Sequence, residues 1–271
     1  MSPSSPLLDK RPLLIGVVHL QALPGAPGFG GRMGAVTNAA VADARALCGA
    51  GFDAVLVENF GDAPFHKDQV PPETIAAMAT VLGAVREAVP ASLALGVNVL
   101  RNDARAALAV AAAAELAFIR VNVLSGAAVT DQGVVEGRAA DVLRDRQRLA
   151  PRVAILADVR VKHAAPLAPR PIEDEVHDLV TRGGADAVIV SGRRTGQATD
   201  RAELAAVRAA AGETPVLLGS GTTPGNIGGY LSGADGAIVG SSLKIGGDVR
   251  AAVDPTRAQA YVQAARAGRS A

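Results

Sequence analysis

Val216-Leu-Leu-Gly-Ser-Gly-Thr222 and Gly236-Ala-Ile-Val-Gly-Ser-Ser-Leu243 decide the fold. Each is a short apolar run ending in a glycine-serine turn. Read as the last two strands of a (β/α)8 barrel, they put their turns where such barrels commonly hold a phosphate, with glycine letting backbone N–H groups approach the anion. Gly219, Ser220, Gly221, Gly240, Ser241 and Ser242 are the expected anion-binding positions. The competing explanation is two tight turns that need only small residues.

Six similar runs precede them: Leu13–Val18, Asp53–Glu58, Leu93–Asn98, Phe118–Val123, Val153–Asp158 and Asp186–Ser191. With Pro215–Gly219 and Asp235–Gly240 they make eight. Between them lie segments with helical spacing, such as Ile75, Met78, Val81, Leu82 and Val85, which set one apolar stripe against a sheet. Asp200 with Glu203, Thr223-Pro224 and Asp254-Pro255 carry helix-start chemistry. An open doubly wound sheet shows the same local alternation, but eight units in 271 residues favour one closed α/β barrel of the TIM type. The expected organisation is a flexible, Ser/Pro-rich lead-in over 1–11 and a single domain over 12–271.

The chain is 49% hydrophobic, alanine-rich and without Trp, which suits an aliphatic barrel covered by helices. A net charge of +1 and the lack of a long Lys/Arg run give no reason to expect a nucleic acid polymer as partner. Single Cys48 excludes an internal disulfide framework and reads as a small buried hydrophobe. No apolar stretch reaches the ~18 residues of a membrane span, and no secretory core is present, so a soluble cytoplasmic protein is expected. The apolar helical exterior makes a homo-oligomer the expected assembly.

Barrel chemistry sits at the C-terminal ends of the strands, which makes the polar residues there candidates. They are His19, Glu58, Asn98, Arg120, Asn122, Asp158 with Lys162-His163 beyond it, Ser191, and Thr195-Gly196. The Gly/Pro-rich stretch Leu20–Arg32 is too long for a tight turn and is expected to form a lid. Glu58 and Asp158 are expected as general bases, and His19 as an acid or ligand; each has a bland alternative as a paired structural group. Only four of 27 basic residues are lysine, and Lys162 and Lys244 closely follow strands five and eight. Arginine stays charged, whereas a buried lysine can lose its proton, so Lys162 is expected to be catalytic and Lys244 to bind substrate. His66 and His177 read as surface residues. No H-E-x-x-H or Cys/His spacing occurs, so neither a metal nor another cofactor is expected; a site from His19, Glu58, Asp158 and His163 would require a spatial coincidence.

Leu14-Ile-Gly-Val-Val-His-Leu-Gln-Ala-Leu-Pro-Gly25, Val57-Glu-Asn-Phe-Gly-Asp-Ala-Pro-Phe65, Gly96-Val-Asn-Val-Leu-Arg-Asn-Asp103, Phe118-Ile-Arg-Val-Asn-Val123, Asp131-Gln-Gly133, Ala157-Asp-Val-Arg-Val-Lys-His163 and Ser220-Gly221 closely resemble the BtpA family. The resemblance runs from Leu13 to Val253, with small departures such as Gln21 and Arg160. It implies a ribulose-phosphate-binding barrel. About chemistry it implies less: the family is named for a photosystem I biogenesis factor, relatives occur where no photosystem exists, and others resemble sugar or nucleoside enzymes. Two expectations follow. One is an enzyme on a phosphorylated sugar or nucleoside-derived substrate, an isomerase, epimerase or aldolase-type lyase; the other is a noncatalytic assembly or stability factor for a membrane complex.

Overall fold

In the computed structural model, residues 6–192 and 199–268 are described. Eight parallel strands close into a barrel: β1 (Leu13–His19), β2 (Ala54–Glu58), β3 (Ala94–Asn98), β4 (Phe118–Val121), β7 (Ala154–Asp158), β9 (Ala187–Val190), β10 (Val216–Leu218) and β11 (Gly236–Val239). Their order around the barrel follows the chain, and β11 pairs back onto β1 through Leu13 and Gly236. All eight runs expected from the sequence are these strands.

Alternate side chains along each strand face opposite sides, and both sides are buried, which is why the strands read as continuous apolar runs rather than alternating ones. Leu13, Ile15, Val17, Leu56, Phe118, Leu156, Ile189, Leu217 and Ile238 fill the interior. Leu14, Val18, Val55, Val57, Ile119, Ile155 and Val188 pack outward under the helices. Phe118 is the interior's large residue, and Gly96 makes room for it: a Cβ there would lie 2.3 Å from the ring. Leu7 and Leu8, in the stretch expected as a flexible lead-in, form a turn over Pro6–Asp9 and join this interior cluster.

The outer layer comprises α1 (Met33–Ala50), α2 (Pro72–Ala88), α3 (Ala104–Ala113), α4 (Ala139–Leu149), α5 (Ile172–His177), α6 (Arg201–Ala211), α7 (Ile227–Tyr230) and α8 (Pro255–Ala267). Asp200 caps α6 by accepting from the amides of Ala202 and Glu203, and Asp254 caps α8 through Thr256 and Arg257. Thr223-Pro224 opens only a turn; α7 begins at Ile227, after Asn226 has accepted the Thr223 amide. Cys48 is half-buried against the core rather than fully enclosed. Among the described residues no helix is long and apolar enough to cross a membrane.

One element lies outside the alternation. After β4 the chain forms an antiparallel hairpin, β5 (Ala127–Thr130) and β6 (Gly133–Glu136), joined by the two-residue β8 (Ala165–Pro166). Gly133, at φ 96°, lets the hairpin turn close. This small sheet stands beside the C-terminal ends of β4 and β7.

Candidate active site

The interior face of each strand decides the site. Two residues beyond the interior hydrophobes Val17, Leu56, Phe118, Leu156, Ile189, Leu217 and Ile238 come His19, Glu58, Arg120, Asp158, Ser191, Gly219 and Gly240. Asn98 occupies the matching position on β3. The two-residue period of a strand therefore carries all eight into the barrel at its C-terminal end.

They divide into two sets. Asp158 is 3% exposed and saturated: it accepts Arg120 Nε and Nη2, each at 2.9 Å, Asn122 Nδ2 at 3.0 Å and Ser191 Oγ at 3.3 Å. To act as the expected general base it would have to break a bidentate buried ion pair on taking a proton. Ser191 serves the same carboxylate. Burial opposes the charge on Arg120, but Asp158 and Glu58 outweigh it and hold the guanidinium protonated.

Glu58 is only half committed. Its Oε1 accepts Asn98 Nδ2 at 3.0 Å and Arg120 Nη1 at 3.3 Å, while Oε2 faces His19 Nε2 at 3.8 Å. Burial pushes the Glu58 carboxyl up, yet Arg120, His19, Lys162 and Asn98 together keep it below its ordinary range. His19 Nδ1 lies 3.0 Å from the Val249 carbonyl, an acceptor only, so Nδ1 carries the hydrogen and Nε2 presents its lone pair. Burial lowers His19 to about 4, with Glu58 opposing. Phe60 covers the imidazole at 4.6 Å between ring centroids.

Lys162 completes this set. Its ammonium makes no ion pair among the described residues, and burial and Arg120 lower its pKa, with Glu58 and Asp158 opposing. Lys244 does not join it. That lysine is fully buried and its Nζ lies 2.7 Å from Asp43 Oδ2 on α1. The ammonium, expected at the substrate, here fastens the segment after β11 to α1, and Asp43 Oδ1 also accepts the Val253 amide at 2.7 Å.

Two neighbouring chambers at the mouth share Glu58, Phe60, Arg120 and Lys162 as walls. The first, about 240 Å³, is lined by His19 and by both glycine-serine turns. The Gly219 amide donates to the Val190 carbonyl at 2.7 Å, and a Cβ at Gly219 would meet Ser191 Oγ at 2.3 Å, so packing alone requires a glycine here. The amides of Ser220, Gly221, Ser241 and Ser242 carry no hydrogen bond among the described residues. Ser242 Oγ is buried without a partner. Arg257, from the first turn of α8, lines the same chamber with Nε on the Ser242 carbonyl at 2.9 Å; sequence reading missed it and Val249.

The second chamber, about 330 Å³, is bounded by Asn98, Arg101, Asn122, Phe65 and the hairpin residue Asp131. Leu20–Arg32, expected as a lid, lines neither chamber, and its start is anchored: the Leu23 amide donates to Asp62 Oδ1 at 2.8 Å and the Gly61 amide to the Leu20 carbonyl at 2.9 Å. His66 and His177 are exposed, as expected. Thr195-Gly196 lies outside the described residues. Among those residues, no group of three or more His, Cys, Asp or Glu is arranged to hold a metal ion.

The BtpA family profile matches residues 10–267. The photosystem I biogenesis protein BtpA of Synechocystis sp. is 46% identical over 94% of this chain and 88% of its own length. An uncharacterized protein of Thermococcus kodakarensis is 46% identical over 95% and 96%. In fold, thiamine phosphate pyrophosphorylase from Pyrococcus furiosus superposes with a TM-score of 0.60 at 14% identity, covering 95% of this chain and 98% of that one.

Proposed function

The chain belongs to the BtpA family, and from that premise and the geometry of the mouth we propose an enzyme that breaks a C–H or C–C bond beside the carbonyl of a phosphorylated sugar or nucleoside-derived substrate. One observation carries the reading: a single cleft combines backbone amides that have no hydrogen-bond partner among the described residues with reactive side chains that are not fully committed. Amides of Ser220, Gly221, Ser241 and Ser242, with Arg257 behind them, suit the phosphate.

His19 then takes the substrate proton at Nε2. The imidazolium so formed keeps its Nδ1–H on the Val249 carbonyl and is balanced by the Glu58 carboxylate 3.8 Å from Nε2. A pKa of about 4 makes the ligand-free imidazole a weak base; a dianionic phosphate beside Gly240 favours the charged form and strengthens it. Lys162 stands where an ammonium stabilises the enolate oxygen, or, deprotonated, condenses with the carbonyl as an imine and releases water. Returning the proton gives an isomerase or epimerase; cleaving the adjacent carbon bond gives a lyase.

A noncatalytic assembly role is the reading that the name of the Synechocystis relative raises. A scaffold has no need of a half-committed Glu58, a neutral His19 and an unpaired Lys162 around one cleft, so the enzyme reading is preferred. The setting we propose is cytoplasmic and homo-oligomeric. A thermal-shift screen of sugar phosphates and nucleotides tests it, since a bound anion stabilises the fold by mass action. Wild type is expected to rise in Tm with at least one phosphate compound and Ser220→Asp is not; no rise with any compound refutes the reading.

A further inference from the structure

The second chamber holds two cations, Arg101 and Lys162, that form no ion pair among the described residues, although Glu58 lines the same chamber and acts on Lys162 from a distance. Arg101 follows β3 and is 8% exposed; its Nη2 donates to the Lys162 carbonyl at 3.3 Å, and its buried Nε has no partner. No ion pair is formed by Arg101 or by Lys162 among the described residues. Arg120, at the same mouth, shows the ordinary solution, with carboxylates on both sides. A buried guanidinium without one is costly, and retaining it beside a second cation calls for an anion supplied from outside the chain. Exposed Asp131 borders the chamber, but its carboxylate accepts from Gln132 and pairs with neither cation.

The rest of the chamber narrows the anion's identity. Among its walls are Phe60, Phe65, Leu100 and Val161, and, among the described residues, no serine, threonine or glycine turn of the kind that lines the first chamber. A planar guanidinium matches the two oxygens of a carboxylate. We propose that this chamber binds a carboxylate at the end of the substrate opposite its phosphate, so that the substrate class is a phosphorylated acid. The inference rests on the phosphate reading of the first chamber.

Titration calorimetry with matched pairs tests it: 3-phosphoglycerate, 4-phosphoerythronate and 6-phosphogluconate, each against the phosphorylated alditol of equal length, with inorganic phosphate as reference. Wild type is expected to bind at least one acid about tenfold or more tighter than its alditol. Arg101→Met is expected to equalise that pair, to leave inorganic phosphate affinity unchanged, and to keep or raise the ligand-free Tm, because an unpaired buried cation is removed. Arg101→Lys keeps the charge without the fork and is expected to lose most of the preference, which provides a second variant should Arg101→Met not fold. Equal affinities within every pair for wild type, a preference surviving in Arg101→Met, or, should that variant not fold, a preference undiminished in Arg101→Lys overturns the proposal. Alditol phosphates that bind wild type as tightly as the acids, and are weakened by Ser220→Asp, reject only the carboxylate; failure of every phosphate compound to bind wild type rejects the cradle as well.

Discussion

His19 makes the protein's stability depend on pH in a window that can be calculated. Its pKa falls from 6.5 to about 4 on folding because burial disfavours the imidazolium. Between those values the unfolded chain binds a proton that the folded chain does not, so stability is full above pH 6.5 and is lost as pH falls. Linkage gives a loss of about 2 kcal/mol by pH 5 and about 3 kcal/mol by pH 4 from this one side chain, starting from 6.5 unfolded and about 4 folded. Glu58, whose pKa is lowered from 4.5, loses its own contribution only below that value, so pH 5 to 7 isolates the histidine. The assay is urea unfolding of ligand-free wild type and His19→Gln across that range, reading the difference between them so that common carboxylate effects cancel. Wild type should lose about 2 kcal/mol relative to the variant between pH 7 and pH 5. Parallel curves would refute a neutral, buried His19 and with it the base assigned to the cleft.

Other expectations come from the same contacts. Asp158→Asn should cost about 3–5 kcal/mol in urea unfolding by removing the bidentate partner of Arg120 and leaving it only the single Glu58 contact, whereas an exposed general base would cost little. Lys244→Met should destabilise by about 3 kcal/mol through the orphaned Asp43, with no change in phosphate affinity by calorimetry. Gly219→Ala should cost about 1–3 kcal/mol, measured as a Tm decrease, because the new Cβ meets Ser191 and Ile189. With a substrate in hand, Lys162→Ala should abolish turnover while retaining phosphate binding, and borohydride reduction of wild type with substrate should trap an adduct on Lys162 if the imine route operates.

The barrel was legible because both faces of its strands are buried, which leaves apolar runs such as Leu13–Val18 bounded by polar residues. The hairpin was not, because Ala127–Glu136 is only partly buried, and its signal lay in an Asp131-Gln-Gly133 turn that strand-helix alternation passes over. Candidate positions at strand ends were legible for the same reason as the strands: a two-residue period takes Glu58 and Asp158 inward alike. Their division of labour was not, since it depends on Arg120, 38 residues from Asp158 in the chain but on a neighbouring strand. Scarcity of lysine flagged Lys162 and Lys244 equally. What separates them is Asp43, 201 residues from Lys244, which no local pattern connects. Arg257 escaped because it belongs to a helix start rather than a strand end.

A crystal structure grown with a sugar phosphate that raises the Tm tests the central claim most directly. The phosphate should lie in the first chamber with oxygens about 2.7–3.1 Å from amide nitrogens of the Gly221 and Ser241 turns and the carbonyl end toward His19 and Lys162. Phosphate density elsewhere, with those amides left to water or protein, would contradict the account.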